Sequence, residues 1–255
     1  MRTRLLKVQL AHEGAEMAAL VTLLCAHAAL QPMSRRAALL SAGAVAISGC
    51  RPAYATDPRT RVLDAIAADA PEQVVLAEIE ALVRQDPSDG KAATSQALDG
   101  TWRLLWSAGA DKFSPLLGLP RPIRPESLQL LGPAAAEQVG EGRVANLLRL
   151  PLGATARLSS GVRPAADEAS TLEILPPFRF EAVLGSTQKT LVEAGSDADF
   201  RKLNARDAEA QAAPKNLYAQ RYLETSGTPG DLRVSTVVSG DPVIVGSVFV
   251  HQRVR

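Results

Sequence analysis

The chain is poor in the side chains that most catalytic and metal-binding sites require. Its 255 residues include only two cysteines and three histidines. Both cysteines and two of the histidines precede residue 56, so that His251 is the one histidine of the remainder. Residues 56–255 therefore lack the groups for thiol catalysis, disulfides, iron–sulfur clusters and cysteine zinc sites. We expect no catalytic residue, no metal and no cofactor.

An excess of charge of one sign is also lacking. The formal net charge of the whole chain is +1. Residues 1–55 hold six of the 28 basic residues and two of the 27 acidic ones, which leaves residues 56–255 slightly negative. This balance excludes the basic surface that binds nucleic acid or anionic lipid headgroups. Nucleic acid is not an expected partner.

Long apolar runs are missing, but a short one carries information about location. Ala37–Ile47 is an apolar run of 11 residues behind the pair Arg35 and Arg36, and Ala53–Ala55 follows as a small-x-small cleavage site. A membrane-spanning helix needs about 20 residues, so this run suits a cleaved signal and not a span. Residues 34–55 are thus predicted to be a twin-arginine export signal, cut after residue 55. No transmembrane span is expected in the mature chain.

The signal does not stand at the N-terminus. Residues 1–33 contain a second apolar run, Met17–Leu30, behind basic residues. Two signals in tandem predict a plastid transit segment followed by export to the thylakoid lumen. The alternatives are a start at Met33 with export to a bacterial periplasm, and lipidation at Cys50, which lies in a sequence of lipoprotein-box form. Cleavage after Ala55 would remove Cys50, and we favour that interpretation.

The periodicity changes after a helical lead-in, residues 56–97. Helices are predicted at Arg59–Asp69 and Glu72–Gln85, where apolar residues recur at helical spacing. From residue 98 onward, short runs of strand-forming residues alternate with turn residues, which favours an antiparallel barrel or sandwich. The proline-rich stretch Leu117–Pro125 is predicted to be a loop at the barrel mouth. Lys202–Ala213 is expected to be a short helix or an exposed loop. The predicted strands are Trp102–Trp106, Leu128–Leu131, Val144–Leu150, Ala156–Val162, Thr171–Leu175, Phe178–Leu184, Thr187–Glu193, Tyr218–Thr225, Asp231–Val238 and Val243–Val254.

Several short motifs follow one another along the chain, beginning with Leu98–Ser107 (LDGTWRLLWS). This segment resembles the opening motif L-x-G-x-W-x-L-x-Y-(T/S)-S of the plastid lipid-associated proteins, or fibrillins. The other similar segments are Val144–Asn146 (V-x-N), Phe178–Phe180 (F-x-F), Tyr222–Glu224 with Asp231–Ser235 (Y-L-D … L-R-I-S-R-G-D), and Gly246–Val250 (G-x-(L/V)-F-V). The resemblance implies a mainly β, α+β fold in which one or two helices precede a lipocalin-like antiparallel barrel at residues 98–255. It also implies association with plastoglobule or thylakoid lipid, without catalysis.

The sequence departs from the family pattern at three places. Trp106 occupies the position of the tyrosine in the family's opening motif. Glu224 occupies the position of the aspartate that follows Tyr-Leu in the later motif. The family's R-G-D becomes Ser239–Asp241, displaced from Arg233. These differences bear on which ligand is bound and not on the fold.

Aromatic residues are scarce, at 4% of the chain, so the few that share a strand are the candidates for a binding cavity. Alternation places Trp102, Leu104 and Trp106 on one face, where they would either floor a cavity or plug the closed end of the barrel. Two further strands carry candidates for a cavity lining or an ordinary core: Phe178, Phe180 and Tyr222.

One charged candidate lies between apolar neighbours. Arg233 alternates with Leu232 and Val234, so its side chain faces the opposite side of the strand. If that side is the interior, the cation needs a carboxylate such as Asp241 or Glu224. It would then form either a structural ion pair or a clamp for a ligand headgroup. We expect His251 on the solvent face of the last strand.

The sequence favours a non-enzymatic protein that binds or transfers a small apolar molecule, such as a quinone, tocopherol, carotenoid or lipid. One alternative is a structural protein with a filled barrel that coats membrane lipid or docks on a thylakoid protein. A second is an enzyme that acts on such a ligand.

Overall fold

Nine antiparallel strands and three α-helices form the part of the chain that the computed structural model describes, residues 57–109, 115–118, 124–150, 153–196, 199, 215–240 and 244–254. The compact unit to which they belong begins at Asp57. The predicted targeting segments, 1–33 and 34–55, and the segment Lys202–Ala213 lie outside these residues.

Two helices form the lead-in that the sequence predicts. Helix α1 spans Pro58–Ala67 and has its proline in the first turn, where the missing amide hydrogen costs nothing. Helix α2 spans Glu72–Val83 and buries residues at spacings of four and three, Val75, Ile79 and Leu82. Arg61 on the first helix bonds Glu78 on the second at 2.6 Å.

The apolar faces of α1 and α2 cover the outside of the sheet. Val62 and Ile79 belong to one buried cluster with the strand residues Leu232, Val234 and Val250, all fully buried. Full burial of such a side chain contributes about 1.5–3 kcal/mol. The helices are therefore part of the folded core and not a detachable leader.

Eight strands close into a barrel and the ninth lies outside it. The order of hydrogen-bonded neighbours is β4-β3-β2-β1-β9-β8-β7-β5-β6, and a further β4–β5 pairing completes the circle. Among the described residues, the sixth strand pairs with the second half of the fifth alone. The strands are β1 Gly100–Ala108, β2 Glu126–Leu131, β3 Arg143–Arg149, β4 Ala154–Ala165, β5 Glu168–Leu184, β6 Thr187–Ala194, β7 Asn216–Leu223, β8 Leu232–Ser239 and β9 Val248–Arg253.

The predicted mainly β fold, a barrel behind N-terminal helices, is confirmed. Several element bounds differ by a few residues from those predicted, as for the last strand, predicted at Val243–Val254 and observed at Val248–Arg253. Two larger differences concern the number of elements. The fifth strand is a single strand of 17 residues, although Pro176 and Pro177 led us to expect two. A third helix, α3, spans Pro133–Val139 and packs on the outer residues of β2 and β3; its alanine-rich sequence has too little periodicity to reveal it.

The two ends of the barrel differ. The 3₁₀ turns Ala92–Thr94 and Gln96–Leu98 pack against the inner residues Leu131, Val144 and Leu172 at one end. We call this the closed end. Strands β1, β3 and β8 end, and strands β2, β4 and β9 begin, at the other end, which we call the mouth. The 3₁₀ turn Pro115–Gly118 lies between β1 and β2 in the chain. Residues 119–123 of the predicted mouth loop, Leu117–Pro125, lie outside the described residues.

Candidate functional site

The candidate site is the inner face of the barrel, which the strand register defines. Directly opposed residues of antiparallel strands share a face. Starting at Trp102, the pairs run through Gln129, Asn146, Leu158 and Phe180 on one side. In the other direction, Trp102 opposes Arg253 and Leu104 opposes His251, which opposes Arg233. The predicted candidates Trp102, Leu104, Phe180 and Arg233 thus face the interior.

Trp102 fills the closed end. Its side chain is fully buried, and its indole Nε1 donates a hydrogen bond of 2.8 Å to the carbonyl oxygen of Leu98. The alanines of the preceding 3₁₀ turn, Ala92 and Ala93, pack in the same cluster. The sequence left two roles open for this tryptophan, the floor of a cavity or a plug at the closed end. Its contacts are those of a plug.

Two arginines lie against the Trp102 ring. The guanidinium carbon of Arg253 is 4.4 Å from the ring centroid and that of Arg233 is 5.0 Å from it. Both distances are within the range of a cation–π contact. Arg253 also donates to the carbonyl oxygens of Ala97 and Asp99, and its Nε lies 3.8 Å from a carboxylate oxygen of Asp231. Arg253 therefore joins the last strand to the segment that closes the barrel.

Arg233 has a different environment. Its side chain is 1% exposed and donates to the amide oxygen of Gln129, whose own amide nitrogen donates to Asn146 at 2.9 Å. Its Nε has no hydrogen-bond partner. No carboxylate among the described residues forms an ion pair with it. Burial, with the nearby charge of Arg253, lowers the pKa of Arg233 to about 9.

Of the two carboxylates expected beside Arg233, the structure describes Glu224, and Glu224 does not lie there. Glu224 instead bonds Arg59 at 2.8 Å, the hydroxyl of Tyr222 at 3.0 Å and the amide of Leu232 at 2.8 Å. The prediction that Glu224 pairs with Arg233 is thus wrong, because Glu224 lies in the turn after β7 and joins α1 to the outside of the barrel. Asp241 lies outside the described residues.

His251 lies inside the barrel, so the prediction of a solvent-facing histidine is wrong. The residue is 7% exposed and its Nδ1 has no hydrogen-bond partner. Burial and the charge of Arg233 lower the pKa of His251 well below its ordinary value. The imidazole is therefore neutral near pH 7. Alternation along β9 places the side chains of His251 and Arg253 on the same face. The sequence alone therefore links the positions of these two residues.

Trp106 lies on the opposite face from Trp102, which corrects the predicted trio. The pairing of β1 with β9 shifts between Leu104 and Trp106, so that Leu104 opposes His251 while Trp106 opposes Val250. A bulge of this kind inserts one residue and reverses the alternation beyond it. Trp106 packs on the cluster beneath α1 and α2 and cannot line the interior.

Tyr222 is also an outer residue. Its side chain is 6% exposed within the same cluster beneath the helices, and it opposes Val234 across a shift in the β7–β8 register. The predicted place of Tyr222 in a cavity lining is therefore wrong. Phe178 and Phe180 do share the inner face, as predicted, since their pairing with β6 is regular over Phe178–Phe180.

The inner face at the mouth is apolar and incompletely buried. Its side chains remain partly accessible, in contrast to the fully buried outer residues beneath the helices. These partly buried, inward-facing residues, which we call the mouth ring, are Leu104, Leu148, Leu158, Phe180 and Phe249. Because small barrels are usually filled by their own side chains, we take these inward-facing, partly accessible apolar residues as the candidate lining of a ligand site.

From the closed end to the mouth, the interior thus changes twice in character. An apolar plug around Trp102 comes first, and the mouth ring comes last. Between them lies a polar layer, whose members are Arg233, His251, Gln129, Asn146, Gln220 and Ser235. Sequence reasoning identified only Arg233 of this layer, because a single glutamine or asparagine on a strand carries no signal before the register is known.

A separate cleft of about 420 Å³ lies beside the closed end. It is bounded by the 3₁₀ turns, the start of α3 and the β4–β5 hairpin, and Asp99, Glu141, Arg143 and Arg163 are its charged residues. Burial raises the pKa of Asp99. The cleft contains none of the predicted site residues.

The comparisons with known proteins add no relative: no family model, curated protein or solved structure matches this chain. In the described part of the chain, no cluster of three or more histidine, cysteine or acidic side chains is arranged to hold a metal ion. Within the same residues, no helix has the length and apolarity to cross a membrane.

Proposed function

We propose that this protein binds a small apolar molecule inside its barrel and stores or transfers it without changing it chemically. The observation that carries this proposal is the mouth ring. Leu104, Leu148, Leu158, Phe180 and Phe249 face inward from five strands and remain partly accessible. Each square ångström of apolar ligand surface that they remove from water contributes about 25 cal/mol to binding.

The closed end supports a container rather than an open channel. Trp102 and the 3₁₀ turns occupy the interior there, so that a ligand would enter and leave at the mouth. The resemblance to the fibrillins supports a plastid ligand, for which a quinone, a tocopherol, a carotenoid or a lipid is a candidate. A chain of this family would work beside the membrane lipids from which it takes its cargo.

A titration tests the proposal. The full chain is titrated with a fluorescent apolar probe, such as an anilinonaphthalene dye, and the probe is then displaced by unlabelled quinone, tocopherol and fatty acid. Leu158→Glu places a carboxylate in the mouth ring and should abolish probe binding. The matched control is Val238→Glu, because Val238 is exposed on β8, at 48%. Equal probe binding by both variants would contradict a ligand site inside the barrel.

We further propose that the protein works in the thylakoid lumen, reached by the two targeting segments at residues 1–33 and 34–55. The support is the Arg35–Arg36 pair, the short apolar run after it and the cleavage site that ends at Ala55. The compact unit begins at Asp57, so a cut at this site would leave α1 intact.

A further inference from the structure

We infer that the ligand carries one carboxylate on an apolar body, as a long-chain fatty acid does, and that Arg233 binds this carboxylate inside the barrel. This inference rests on the proposed function, since it concerns the polar end of the same molecule. The carboxylate would lie in the polar layer and the apolar body would extend along the mouth ring.

The first argument is that Arg233 is an exception among the buried arginines of the described residues. Three are buried: Arg157, Arg233 and Arg253. Arg157 pairs with Glu181 at 2.8 Å, and both side chains are less than 10% exposed. Arg253 has Asp231 and two carbonyl oxygens. Of the three, only Arg233 has no carboxylate partner among the described residues.

The second argument concerns the cost of such a charge. A buried cation without an anion loses its hydration and regains little of it from neutral partners. Among the described residues, the Trp102 ring and the Gln129 amide are the neutral partners of Arg233, and its Nε has none. A carboxylate accepts two parallel hydrogen bonds from a guanidinium, which is the geometry that an arginine with unused donors offers.

The third argument is access. Gln129, which bonds Arg233 directly, and Leu104, which lies next to Trp102 on the inner face, are both partly accessible. Leu104 opposes His251, and His251 opposes Arg233. Two inward-facing neighbours of Arg233 are therefore not sealed from solvent. The Nδ1 of His251, which has no partner, is a further group beside the same position.

The fourth argument selects a carboxylate over a phosphate. The charge of Arg253 is matched by Asp231, and the other members of the polar layer are neutral. One unmatched cation balances one negative charge. A dianionic phosphate would leave a buried negative charge uncompensated.

Calorimetric titration of the full chain with three ligands of one chain length tests the inference: dodecanoate, dodecanol and dodecyl phosphate. At about pH 8 ordinary carboxylic acids are ionised and Arg233 keeps its charge. We expect dodecanoate to bind at least tenfold more tightly than either of the others. Arg233→Met should reduce that preference to less than threefold.

The control variant is Arg103→Met, because Arg103 is an exposed arginine on the outer face of β1, where it bonds Gln252 at 3.3 Å. It should keep the full preference for dodecanoate. Arg233→Lys retains a cation and should keep part of the preference for dodecanoate. This variant replaces Arg233→Met in the test if the methionine variant does not fold. The comparison of ligands on the unaltered protein needs no variant.

These titrations distinguish failure of the carboxylate site from failure of the proposed function. Equal binding of dodecanoate and dodecanol overturns the carboxylate site and leaves the apolar site standing. Tighter binding of dodecyl phosphate overturns the choice of carboxylate. Absence of binding by all three, together with failure of the dye titration, overturns the proposed function itself.

Discussion

Arg253 and Arg233 both lie against the indole of Trp102, at 4.4 Å and 5.0 Å from its centroid, but only Arg253 is matched by a carboxylate in the described residues. The two cations therefore differ in what they do for the fold. Arg253 connects the last strand to the closed end, whereas Arg233 is a buried charge whose partners are neutral.

This difference predicts opposite effects on stability. Arg253→Met should lower the free energy of unfolding by about 2 kcal/mol or more, because the carbonyls of Ala97 and Asp99 lose this donor and the carboxylate of Asp231 loses its cation. Arg233→Met should leave it unchanged or raise it, since a buried unpaired charge is replaced by an apolar side chain. Urea unfolding of the ligand-free variants measures both. A larger loss of unfolding free energy for Arg233→Met than for Arg253→Met would contradict this difference between the two arginines.

His251 predicts an acid-sensitive fold. Its pKa is lowered in the folded protein, by burial and by Arg233, from the ordinary 6.5 that it keeps when unfolded. The unfolded chain therefore binds the proton more readily, and stability falls as the pH drops below about 6.5. We expect His251→Gln to show a smaller loss of stability between pH 7 and pH 5 than the unaltered protein. Parallel pH profiles would contradict a buried neutral histidine.

The two tryptophans predict a spectroscopic assignment. They are the only ones in the chain, and Trp102 faces the interior while Trp106 packs beneath the helices. In Trp106→Phe, a quinone bound in the barrel should quench the remaining Trp102 emission on titration. In Trp102→Phe, the remaining Trp106 should be quenched much less. Equal quenching in the two variants would contradict separation of the two rings by the barrel wall.

The position of Trp106 predicts that the packing of α1 and α2 on the barrel contributes to the stability of the fold. Because its ring is partly buried against the cluster of α1 and α2, Trp106→Ala should lower the free energy of unfolding by about 2–3 kcal/mol. Binding of an apolar ligand should stay within a factor of two, since Trp106 does not face the interior. A strong loss of ligand affinity in a variant that remains folded would place Trp106 inside the barrel instead.

The export signal makes a prediction about location. Replacing Arg35 and Arg36 together by lysine should block import of the chain into isolated thylakoids, because twin-arginine export depends on that pair. The measurement is protection of the imported protein from added protease. Import that is unchanged would contradict the twin-arginine route.

Much of the fold follows from local pattern. Val75, Ile79 and Leu82 identify α2 because their spacing is helical. Trp102 and Leu104 identify the first strand, predicted as Trp102–Trp106, because apolar residues alternate there. The register of β1 could not be predicted beyond Leu104. The bulge before Trp106 depends on pairing with β9, a strand more than a hundred residues away. One inserted residue was enough to move Trp106 to the other face.

The candidate site was only partly predictable for a related reason. Arg233 was identified because it stands between two apolar residues of one strand. Gln129 and His251 became candidates only when the register brought them beside it. Polar side chains at isolated strand positions have no sequence signature, and their chemistry arises from neighbours that long-range pairing supplies. Glu224 shows the reverse case, a carboxylate with the right charge that folding places outside the barrel.

Native mass spectrometry tests the central claim most directly, with the purified protein equilibrated against a total plastid lipid extract and then separated from it. The account predicts one adduct per chain, and extraction should identify an apolar molecule. Detection of the bare chain alone, under conditions in which the protein remains folded, would contradict a ligand-binding barrel.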